Sequence, residues 1–581
     1  MTDRLAIAVA QLNPTVGDVD ANVDCLIAAR ETAAGQGADL VVPGELVVSG
    51  YPPEDLVLKP QFLDTIERAV ARLAQATASG GPAVLATTPW RENGRVYNAA
   101  LLVEGGRVAT LRYKHDLPNY GVFDEKRVFA AGPLPGPTPF RGVRLGLMIC
   151  EDMWTPDVTE CLQESGAEIL IVPNGSPYEE GKLDQRQALA AQRVEETGLP
   201  LLYVNQVGGQ DEIVFDGASF ALDTERMVRF QAPSWRENVA TMEWRRTGAG
   251  WICADGATMV PAPQGLETIY HAMVVGLRDY VEKNGFPGVI LGLSGGIDSA
   301  LCAAVAADAL GPERVHCVMM PSPYTSRESL EDAAEVARLL GTPLETISIE
   351  PAMRAFGEML APSFAGRAPD ITEENIQSRA RGMTLMALSN KLGHMVLSTG
   401  NKSEMSVGYA TLYGDMCGGY AVLKDIYKMT VFALSRWRNQ HDPEIVPSGL
   451  MGPTGPVMPE RVITKPPSAE LKPNQTDQDS LPPYEVLDDI LECLVEREET
   501  VDRIVARGHA METVLRVWRM LDRAEYKRRQ APPGVKITRR AFGRDRRYPI
   551  TNGFRARAAE ATAAPAIAGR PVQATDGSLV S

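Results

Sequence analysis

The stretch Leu291-Gly292-Leu293-Ser294-Gly295-Gly296-Ile297-Asp298-Ser299-Ala300 decides the fold of the second half of this 581-residue chain. The apolar residues 289–291 predict a buried parallel strand, and residues 300–306 predict the helix that leaves it. Gly295 and Gly296 remove side chains where the backbone must bend sharply, so successive N–H groups at a helix N-terminus can face an anion. The stretch therefore predicts a phosphate-binding loop.

The polar side chains of this loop indicate which phosphate compound it binds. Ser294 and Ser299 add hydroxyl donors, whereas the Asp298 carboxylate would repel a phosphate unless a divalent cation, usually Mg²⁺, bridges the two. A magnesium nucleotide is therefore the expected guest. The alternative is an ordinary strand-turn-helix corner rich in glycine and serine, which the ordered motif residues disfavour.

The loop also resembles a known signature. It lacks the Gly-Lys-Ser/Thr ending of a Walker A loop, which grips the β- and γ-phosphates. It resembles instead the Ser-Gly-Gly-x-Asp-Ser signature of the ATP pyrophosphatases, which adenylate a substrate and release pyrophosphate. The resemblance implies an adenine nucleotide alpha hydrolase-like fold, with ATP and Mg²⁺. It assigns to ATP the residues Gly292, Leu293, Ser294, Gly295, Gly296, Ile297, Asp298, Ser299 and Thr399.

Composition limits the class of protein. The length predicts two or three domains, and 44% hydrophobic and 23% charged residues are typical of a globular protein. A net charge of −16 argues against a general nucleic-acid binder. We expect a cytoplasmic protein without membrane contact, because no signal-peptide or membrane-spanning apolar run occurs. The eight cysteines form no CxxC pair, which argues against a disulfide framework or a zinc site.

Strands and helices alternate over residues 1–245, which predicts a layered α/β domain. Glu45, Lys114 and Cys150 stand at or just beyond the ends of its predicted strands, where α/β folds collect their chemistry. Taken singly, they could be a helix-start carboxylate, a solvated charge and a core thiol. In that order and context, however, Pro-Gly-Glu45, Tyr-Lys114-His and Ile-Cys150-Glu resemble the three signatures of the nitrilase superfamily, which implies an αββα fold.

The residue types suit the hydrolysis of an amide through a thioester, with release of ammonia. A thiol attacks as a thiolate, so Cys150 needs a base, and Glu45 can take its proton. Lys114 can hold the charge that develops on the carbonyl oxygen. Cys161 and Cys25 lie within predicted helices and compete poorly for the role of nucleophile.

The nitrilase resemblance also implies a glutamine pocket. By comparison with the members that act on glutamine, Tyr120, Ser176 and Lys182 are assigned to it. Lys182 could equally be a solvated partner of a neighbouring glutamate. Glu125 could be a supporting acid in the site or form a salt bridge to a neighbouring arginine.

The second half has its own order. Weak periodicity predicts a linker over residues 246–264, and an amphipathic helix follows over 265–284. Further strand-helix alternation up to residue 550 predicts a doubly wound parallel sheet with ATP at the carboxyl ends of its strands. Residues 324–329 resemble a mobile loop that closes over ATP, or are a helix start capped by Ser326 or Ser329.

Several later segments resemble NAD synthetases. Asn375 and Arg379 share a helix face at i, i+4, and the segment Asn-Ile-x-x-Arg-x-Arg of that family implies that Asn375 binds the dinucleotide. Glu404, in Gly-Asn-Lys-Ser-Glu, is expected to ligate Mg²⁺ or contact substrate, and Lys527 to reach the dinucleotide. Asp415 and Lys428 are further substrate or phosphate candidates.

The remaining segments are read from composition and from the same resemblance. Residues 466–484 look like a linker, and in the family they form a loop near the active site. The proline- and glycine-rich residues 446–462 receive no function. The arginines of 539–547 are expected to contact substrate phosphates or acidic surfaces of a partner subunit, and residues 551–581 to form a disordered tail.

Together, the motifs resemble the glutamine-dependent NAD⁺ synthetases. This implies ATP-dependent amidation of deamido-NAD⁺ with ammonia from L-glutamine, carried through an internal tunnel in an assembly of at least two chains joined through the synthetase domain. A first alternative is a glutamine-dependent ATP pyrophosphatase that acts on another carboxylate or nucleotide. A second is a regulatory protein with degenerate sites, which the intact motif residues disfavour.

Overall fold

The computed structural model describes residues 3–248, 250–254, 257–441, 449–473 and 475–554. The expected tail therefore lies outside the described residues from position 555 onward, and so do residues 446–448 of the proline- and glycine-rich segment.

The first domain is built from two β-sheets with helices on their outer faces. Its elements are β1 (Arg4–Gln11), α1 (Val19–Gly35), β2 (Leu40–Pro43), α2 (Pro60–Ala76), β3 (Ala83–Glu92), β4 (Arg95–Glu104), β5 (Arg107–Tyr113), β6 (Thr138–Phe140), β7 (Val143–Leu147), α3 (Pro156–Glu164), β8 (Ile169–Asn174), α4 (Lys182–Thr197), β9 (Leu201–Asn205), β10 (Val207–Gln210), β11 (Ile213–Asp216), β12 (Phe220–Leu222), β13 (Val228–Gln231), β14 (Asn238–Thr247) and β15 (Gly250–Cys253). The sheet orders are β15-β14-β1-β2-β3-β4-β5 and β13-β12-β9-β8-β7-β6, and β10 and β11 form a separate hairpin.

The two sheets pack face to face around one apolar core. Ile7 and Val42 of the first sheet meet Leu145 and Ile171 of the second in this core. Helices α1 and α2 cover the outer face of the first sheet, and α3 and α4 cover the outer face of the second. The predicted αββα layering is confirmed.

The end of this domain differs from the sequence prediction. Residue 245 lies inside β14, which pairs antiparallel with β1 from Asn238 to Arg245. The residues of β15, predicted as linker, form an edge strand against β14. Trp251 and Cys253 of β15 are buried in the inter-sheet core, but this alternation is too short beside Gly248 and Gly250 to stand out in the sequence.

The second domain is a parallel sheet surrounded by helices. Its elements are α5 (Leu266–Lys283), β16 (Val289–Gly292), α6 (Ile297–Leu310), β17 (Val315–Met319), α7 (Arg327–Leu340), β18 (Leu344–Thr346), α8 (Glu350–Phe364), α9 (Ile371–Leu392), β19 (Met395–Ser398), α10 (Lys402–Val407), β20 (Tyr420–Ala421), α11 (Lys428–Gln440), α12 (Glu460–Thr464), α13 (Tyr484–Val495), α14 (Val501–Ala506), α15 (Met511–Arg523) and α16 (Glu525–Arg528). Over the residues that the structure describes, no helix is both long and apolar enough to cross a bilayer.

The strand order places the phosphate-binding loop at the reversal point of this sheet. The order is β18-β17-β16-β19-β20, and the pairs are parallel. The chain leaves β16 for β17 on one side and later returns to β19 on the other, which opens a crevice at the carboxyl end of β16. The predicted doubly wound sheet is confirmed. Helix α6 begins three residues earlier than expected, so Asp298 and Ser299 lie in its first turn.

Helix α5 joins the two domains. Gly276 lies against Gly209 of β10, where a Cβ on Gly209 would come within 3.1 Å of the Gly276 Cα. The Asp279 carboxylate accepts hydrogen bonds from the Gly209 N–H at 2.6 Å and from Asn13 Nδ2 at 2.8 Å. Lys283 Nζ donates to Asn13 Oδ1 at 2.8 Å. The contact between α5 and β10 contains small residues and buried hydrogen bonds, so the two domains pack closely against each other.

The segment after α11 receives a structural role. Asp308 of α6 is fully buried and forms an ion pair with Arg438 of α11 at 2.7 Å. Arg438 also donates to the carbonyls of Pro453 and Gly455, at 2.8 and 3.2 Å. The Met451 N–H donates to the Asp308 carbonyl at 2.8 Å. The described part of the proline- and glycine-rich segment is therefore anchored on the helix that follows the phosphate-binding loop.

Acid should weaken this fold through His271, which is buried in α5. Burial lowers the pKa of His271 from 6.5 to about 4. Between pH 6.5 and pH 4 the unfolded chain therefore binds a proton at His271 and the native chain does not. The free energy of unfolding is unaffected by this residue above pH 6.5 and decreases as the pH falls toward 4.

We predict that, between pH 7 and pH 5, the free energy of unfolding of the wild type falls by about 2 kcal/mol more than that of His271→Gln. Chemical denaturation of both proteins at the two pH values measures this difference. Equal losses in the wild type and the variant would contradict the assignment.

Candidate functional site

A buried lysine organises the candidate site in the first domain. Lys114, directly after β5, is fully buried, and its Nζ donates to Glu45 Oε1 at 2.6 Å. The same ammonium donates to both carboxylate oxygens of Glu125 at 2.9 Å. Burial alone would lower the pKa of Lys114. The charges of Glu125 and Glu45 raise it by a larger amount, so the pKa lies well above its usual value. Lys114 therefore stays charged.

Glu125 belongs to this buried cluster. Its Oε1 accepts a hydrogen bond from the Tyr51 hydroxyl at 3.0 Å, besides the contacts with Lys114. Arg127, which the salt-bridge interpretation would require, pairs instead with Glu54, Asp55 and Asp124. Burial raises the pKa of Glu125 to about 7, although Lys114 opposes this. The geometry therefore favours a supporting role beside Lys114.

Glu45 is held by contacts from three directions. Its Oε1 accepts from Asn98 Nδ2 at 2.7 Å, and its Oε2 accepts from the Gly175 N–H at 2.9 Å. A Cβ on Gly44 would lie 2.9 Å from the Asn174 carbonyl oxygen, so only glycine lets the end of β2 approach β8 this closely. These contacts aim the carboxylate at one position.

Cys150 opens a 3-10 turn, Cys150–Met153, just beyond β7. Its φ of +47° is strained for a residue with a side chain, which marks a sharp strand-to-helix turn. Burial and then the Glu45 charge raise the pKa of the Cys150 thiol well above its usual value, and Lys114 opposes them. The resting thiol is therefore protonated and needs a base to become a nucleophile.

Asp152 ties the Lys114 loop to the Cys150 turn. Its carboxylate accepts from the Ile149 N–H at 2.9 Å, the His115 N–H at 2.9 Å and the Asp116 N–H at 2.8 Å. The sequence places Asp152 in the cysteine motif without a role of its own. An acid two residues after a predicted nucleophile is the one signal that could have indicated it.

The three residues assigned to glutamine lie around this cluster with different exposure. The Tyr120 ring is half exposed, and its hydroxyl donates to the Glu151 carboxylate at 3.0 Å. Ser176 is buried, and Lys182 lies with its Nζ 4.6 Å from the centre of the Trp154 ring, which follows the Cys150 turn. The nearby Glu179 pairs with Lys536.

Arg186 is a buried residue that the sequence did not indicate. It forms an ion pair with Asp216 at 2.7 Å. It also donates from Nε to Ser176 Oγ at 3.0 Å and from Nη2 to the Ser176 and Pro177 carbonyls at 2.8 and 2.7 Å. Arg186 lies in α4 and its partner Asp216 lies in β11, so no local pattern indicates the pair.

The second domain presents the phosphate-binding loop between β16 and α6. Gly295 has a φ of +80°, and a Cβ there would lie 2.3 Å from the Ser329 carbonyl oxygen, so this position requires glycine. Ser294 Oγ accepts from the Gly296 N–H at 3.2 Å and lies 3.1 Å from Ser299 Oγ. The loop is thus held open at the N-terminus of α6, where backbone N–H groups favour an anion.

Charged side chains gather beside this loop. Lys428 Nζ donates to Asp298 Oδ2 and lies 3.4 Å from Glu404 Oε1, and Asn401 Nδ2 donates to Asp298 Oδ1 at 2.8 Å. Burial raises the pKa of Glu404 to about 8, although Lys428 lowers it. Asp298, Glu404 and Lys428 therefore share one site, as predicted from separate motifs.

The donor set of this site fits a hard divalent cation. Asp298 and Glu404 supply carboxylate oxygens, the ligands that Mg²⁺ prefers, next to a loop that suits phosphate. Among the described residues, no three acidic, histidine or cysteine side chains are arranged as a ready-made metal site. Mg²⁺ commonly binds through one or two protein carboxylates and completes its shell with substrate phosphates and water, so the two carboxylates of Asp298 and Glu404 fit it.

Lys527 and Asn375, two of the residues assigned to the dinucleotide, both contact residues 408–411. Lys527 Nζ donates to the carbonyls of Gly408 and Ala410, at 2.7 and 2.6 Å. Thr411 Oγ1 donates to Asn375 Oδ1 at 2.9 Å, and its N–H donates to Asp415 at 2.7 Å. Burial raises the pKa of Asp415 to about 6.

Thr399 and the loop over the nucleotide site also have defined positions. Thr399 directly follows β19, at the same sheet edge as the phosphate-binding loop. Ser326 is the N-cap of α7, since its side chain accepts from the Ser329 N–H. Ser326 Oγ and Ser329 Oγ both donate to Glu470 Oε1 at 2.8 Å, so the predicted linker 466–484 reaches this loop.

The basic stretch at residues 539–547 has acidic partners that the sequence did not indicate. Arg540, Arg544 and Arg546 pair with Glu498, Glu54 and Glu525 of the same chain, because the segment folds back over both domains. The expected contacts with substrate phosphates or with a partner subunit stay predictions.

Comparisons with known proteins match both halves. The carbon-nitrogen hydrolase family model matches residues 6–250, and the NAD synthase family model matches residues 269–531. The chain is 52% identical over 556 residues to a glutamine-dependent NAD(+) synthetase of Rhodobacter capsulatus, covering 96% of this chain and 100% of the relative. It is 49% identical to the protein of that name from Xanthomonas campestris pv. campestris, covering 95% of this chain and 98% of the relative.

Solved structures agree with this match. A glutamine-dependent NAD⁺ synthetase from Acinetobacter baumannii, in complex with ADP, is 43% identical with a TM-score of 0.75, covering 95% of this chain and 99% of that one. A structure of the same description from Cytophaga hutchinsonii has a TM-score of 0.79 at 22% identity, and covers 96% of this chain and 99% of that one. The second likeness shows a shared fold.

The Cys150 turn should depend on Asp152. We predict that Asp152→Asn destabilises the first domain by about 1–3 kcal/mol. In the wild type both carboxylate oxygens accept hydrogen bonds from backbone N–H groups. In the variant an amide NH₂ replaces one oxygen, so at least one of these backbone N–H groups loses its acceptor. The variant should also change the alkylation rate of Cys150, although no atom of Cys150 or Lys114 is altered.

Thermal unfolding and mass spectrometry of the alkylated Cys150 peptide measure the two effects. Alkylation of the exposed Cys25 provides the internal control. Wild-type stability together with a wild-type rate at Cys150 would contradict the role given to Asp152.

Proposed function

This chain belongs to the family of glutamine-dependent NAD⁺ synthetases, and we propose that its two sites divide the amidation of deamido-NAD⁺ between them. The first site hydrolyses L-glutamine, and the second consumes ATP and the released ammonia. The observation that carries this proposal is that one chain holds both the buried Glu45, Lys114 and Cys150 cluster and a complete phosphate-binding loop. Membership of this family disfavours both alternatives, a regulatory protein with degenerate sites and an enzyme that acts on another acceptor.

In the first site, Cys150 Sγ attacks the side-chain carbonyl carbon of glutamine. Glu45 takes the thiol proton, and Lys114 stabilises the negative charge on the carbonyl oxygen. Glu45 then gives its proton to the leaving nitrogen, which departs as ammonia and leaves a thioester on Cys150. Water, activated by Glu45, hydrolyses the thioester to glutamate and restores the thiol.

Glutamine itself is held by Tyr120, Ser176 and Lys182 in this proposal. The ammonium of Lys182 suits the substrate carboxylate, and the edge of the site formed by Tyr120 is open to solvent. Ser176 is fixed from behind by Arg186, so the pocket is formed before the substrate arrives.

In the second site, the carboxylate of deamido-NAD⁺ attacks the α-phosphorus of ATP, which forms an acyl adenylate and releases pyrophosphate. Ammonia then attacks the acyl carbon and displaces AMP. The phosphate-binding loop, residues 292–299, and Thr399 bind ATP, and Lys428 offsets phosphate charge. Asn375, Glu404 and Lys527 bind the dinucleotide, and Asp298 and Glu404 would hold Mg²⁺, which neutralises phosphate charge when bound.

Ammonia must pass between the sites without reaching bulk water. A pocket lies between the domains, lined by Pro52 and Ile213 from the first domain and Lys424 and Phe542 from the second, among others. Pro52 follows Tyr51, which bonds Glu125 in the first site, and Lys424 lies four residues before Lys428. We propose that ammonia crosses the interface here, and that the enzyme works in the cytoplasm.

We also propose that two chains associate through α8 and α9. The structure describes every residue of α8, and none of them is buried. Large apolar side chains on the two helices are exposed, with Met359 at 64%, Ile371 at 67% and Met383 at 72%. An apolar face of this kind usually marks an interface, and a second copy would cover it symmetrically.

Two variants should separate the half-reactions. We predict that Cys150→Ala lowers glutamine-dependent NAD⁺ formation by at least roughly a thousandfold, because the nucleophile is lost, but keeps ammonium-dependent formation. Asp298→Asn should lower formation from either nitrogen donor by roughly a hundredfold, because charge opposite the phosphates is lost.

NAD⁺ formation from deamido-NAD⁺ and Mg-ATP, with glutamine or ammonium, measures both effects, and Cys161→Ala is the control thiol variant. Loss of ammonium-dependent synthesis in Cys150→Ala, or full synthesis by Asp298→Asn, would contradict the proposal.

A charge within the apolar face should separate the chains. We predict that Met383→Glu weakens self-association at least tenfold, since the interface would bury an unpaired carboxylate. Sedimentation at several protein concentrations measures this, and Met227→Glu, at another exposed methionine in the first domain, is the control. A wild-type protein that sediments as a monomer, or equal association of both variants, would refute this interface.

A further inference from the structure

A segment of the second domain lies along the first domain beside the glutamine pocket. We call residues 535–547 the strap. The Lys536 N–H donates to the Glu212 carbonyl at 2.8 Å, and the Ile537 carbonyl accepts from the Glu180 N–H at 3.0 Å. Near its other end, Arg547 Nη2 donates to the Gly121 carbonyl at 3.3 Å. The strap therefore touches the loops on both sides of the proposed pocket.

Lys536 is the charged centre of the strap. Its side chain is 6% exposed, and Nζ lies 3.2 Å from Glu179 of the first domain and 3.0 Å from Asp545 of the strap itself. Nζ also donates to the carbonyls of Thr538 and Arg539, at 2.6 and 3.1 Å. These contacts fix the ammonium, so it in turn fixes the Glu179 carboxylate.

Glu179 lies three residues before Lys182, the first residue of α4. The Lys182 N–H donates to the Glu179 carbonyl at 2.9 Å, and Gly181 between them has a φ of +75°. The Lys182 ammonium extends from this turn over the Trp154 ring, beside the turn of Cys150. A shift of Glu179 and Glu180 would therefore move Lys182 relative to the nucleophile.

We propose that the strap is a positioning element of the glutamine pocket, acting through the Lys536–Glu179 ion pair and the Ile537–Glu180 backbone hydrogen bond. Lys536 is thus a positioning residue that the synthetase domain contributes to the glutaminase site. The pocket is complete only when the second domain is docked. This inference rests on the proposed function of the first site.

Docking of the domains does not itself depend on this ion pair. Helix α5 holds β10 through Asp279, and Lys424 pairs with Glu212 at 2.9 Å at the tip of the β10–β11 hairpin. The Lys424–Glu212 pair is also a lysine–glutamate contact between the domains, but its glutamate does not precede a residue of the glutamine pocket. It therefore offers a matched control.

The test compares Glu179→Gln with Glu212→Gln in the full-length protein. Glutamine hydrolysis gives KM and kcat for glutamine, and ammonium-dependent NAD⁺ formation reports on the second site. We expect Glu179→Gln to raise KM for glutamine roughly tenfold, the size that contacting charged residues commonly produce, with ammonium-dependent synthesis within about twofold of wild type. Glu212→Gln should leave KM for glutamine within about twofold.

Lys536→Met adds a second measurement. If the two residues act as a pair, the double variant with Glu179→Gln should raise KM no further than Lys536→Met alone. Should Lys536→Met fail to fold, the comparison of the two glutamate variants still decides. An unchanged KM in Glu179→Gln, or an equal rise in Glu212→Gln, would overturn the inference. A wild-type protein that does not hydrolyse glutamine would overturn the proposed function instead.

Discussion

The buried ammonium of Lys114 is the constraint on which the first site depends. A charge without water is tolerated only beside opposite charges, and Lys114 has Glu45 and Glu125, which lie 69 and 11 residues away in the chain. Their pairing fixes the ends of β2 and β5 and the turn at residues 125–127 in one place. The thiol of Cys150 is then presented to a charge distribution that exists before any substrate binds, which limits reorganisation during the reaction.

The second site uses the same device for a different purpose. Lys428 stands between Asp298 and Glu404, and burial raises the pKa of Glu404 to about 8, although the charge of Lys428 lowers it. In the proposed site, a cation bound beside Glu404 would oppose this rise. Lys114 therefore lies in a closed cluster with both of its carboxylate partners, whereas Lys428 lies beside a loop that suits an anion.

The sequence predicted the residues that stand in short local motifs, and it missed ion pairs whose members lie far apart in the chain. The phosphate-binding loop and the strand-end residues Glu45, Lys114 and Cys150 stand in short motifs, so their positions at the ends of strands could be predicted from the sequence. Arg186 with Asp216 and Asp308 with Arg438 are pairs of ordinary residues whose partners lie 30 and 130 positions away. The partners of Arg540, Arg544 and Arg546 were not predicted, because these glutamates come from both domains, a relation that only the folded chain reveals.

The position of the strap in the chain has a consequence for biosynthesis. Residues 535–547 leave the ribosome long after the first domain has been made. That domain can fold as a unit while synthesis continues. It lacks the contacts of Lys536 and Ile537 until the strap has also been made. If the strap positions the pocket as proposed, a nascent chain binds glutamine more weakly, so less ammonia is released before a second site exists to receive it.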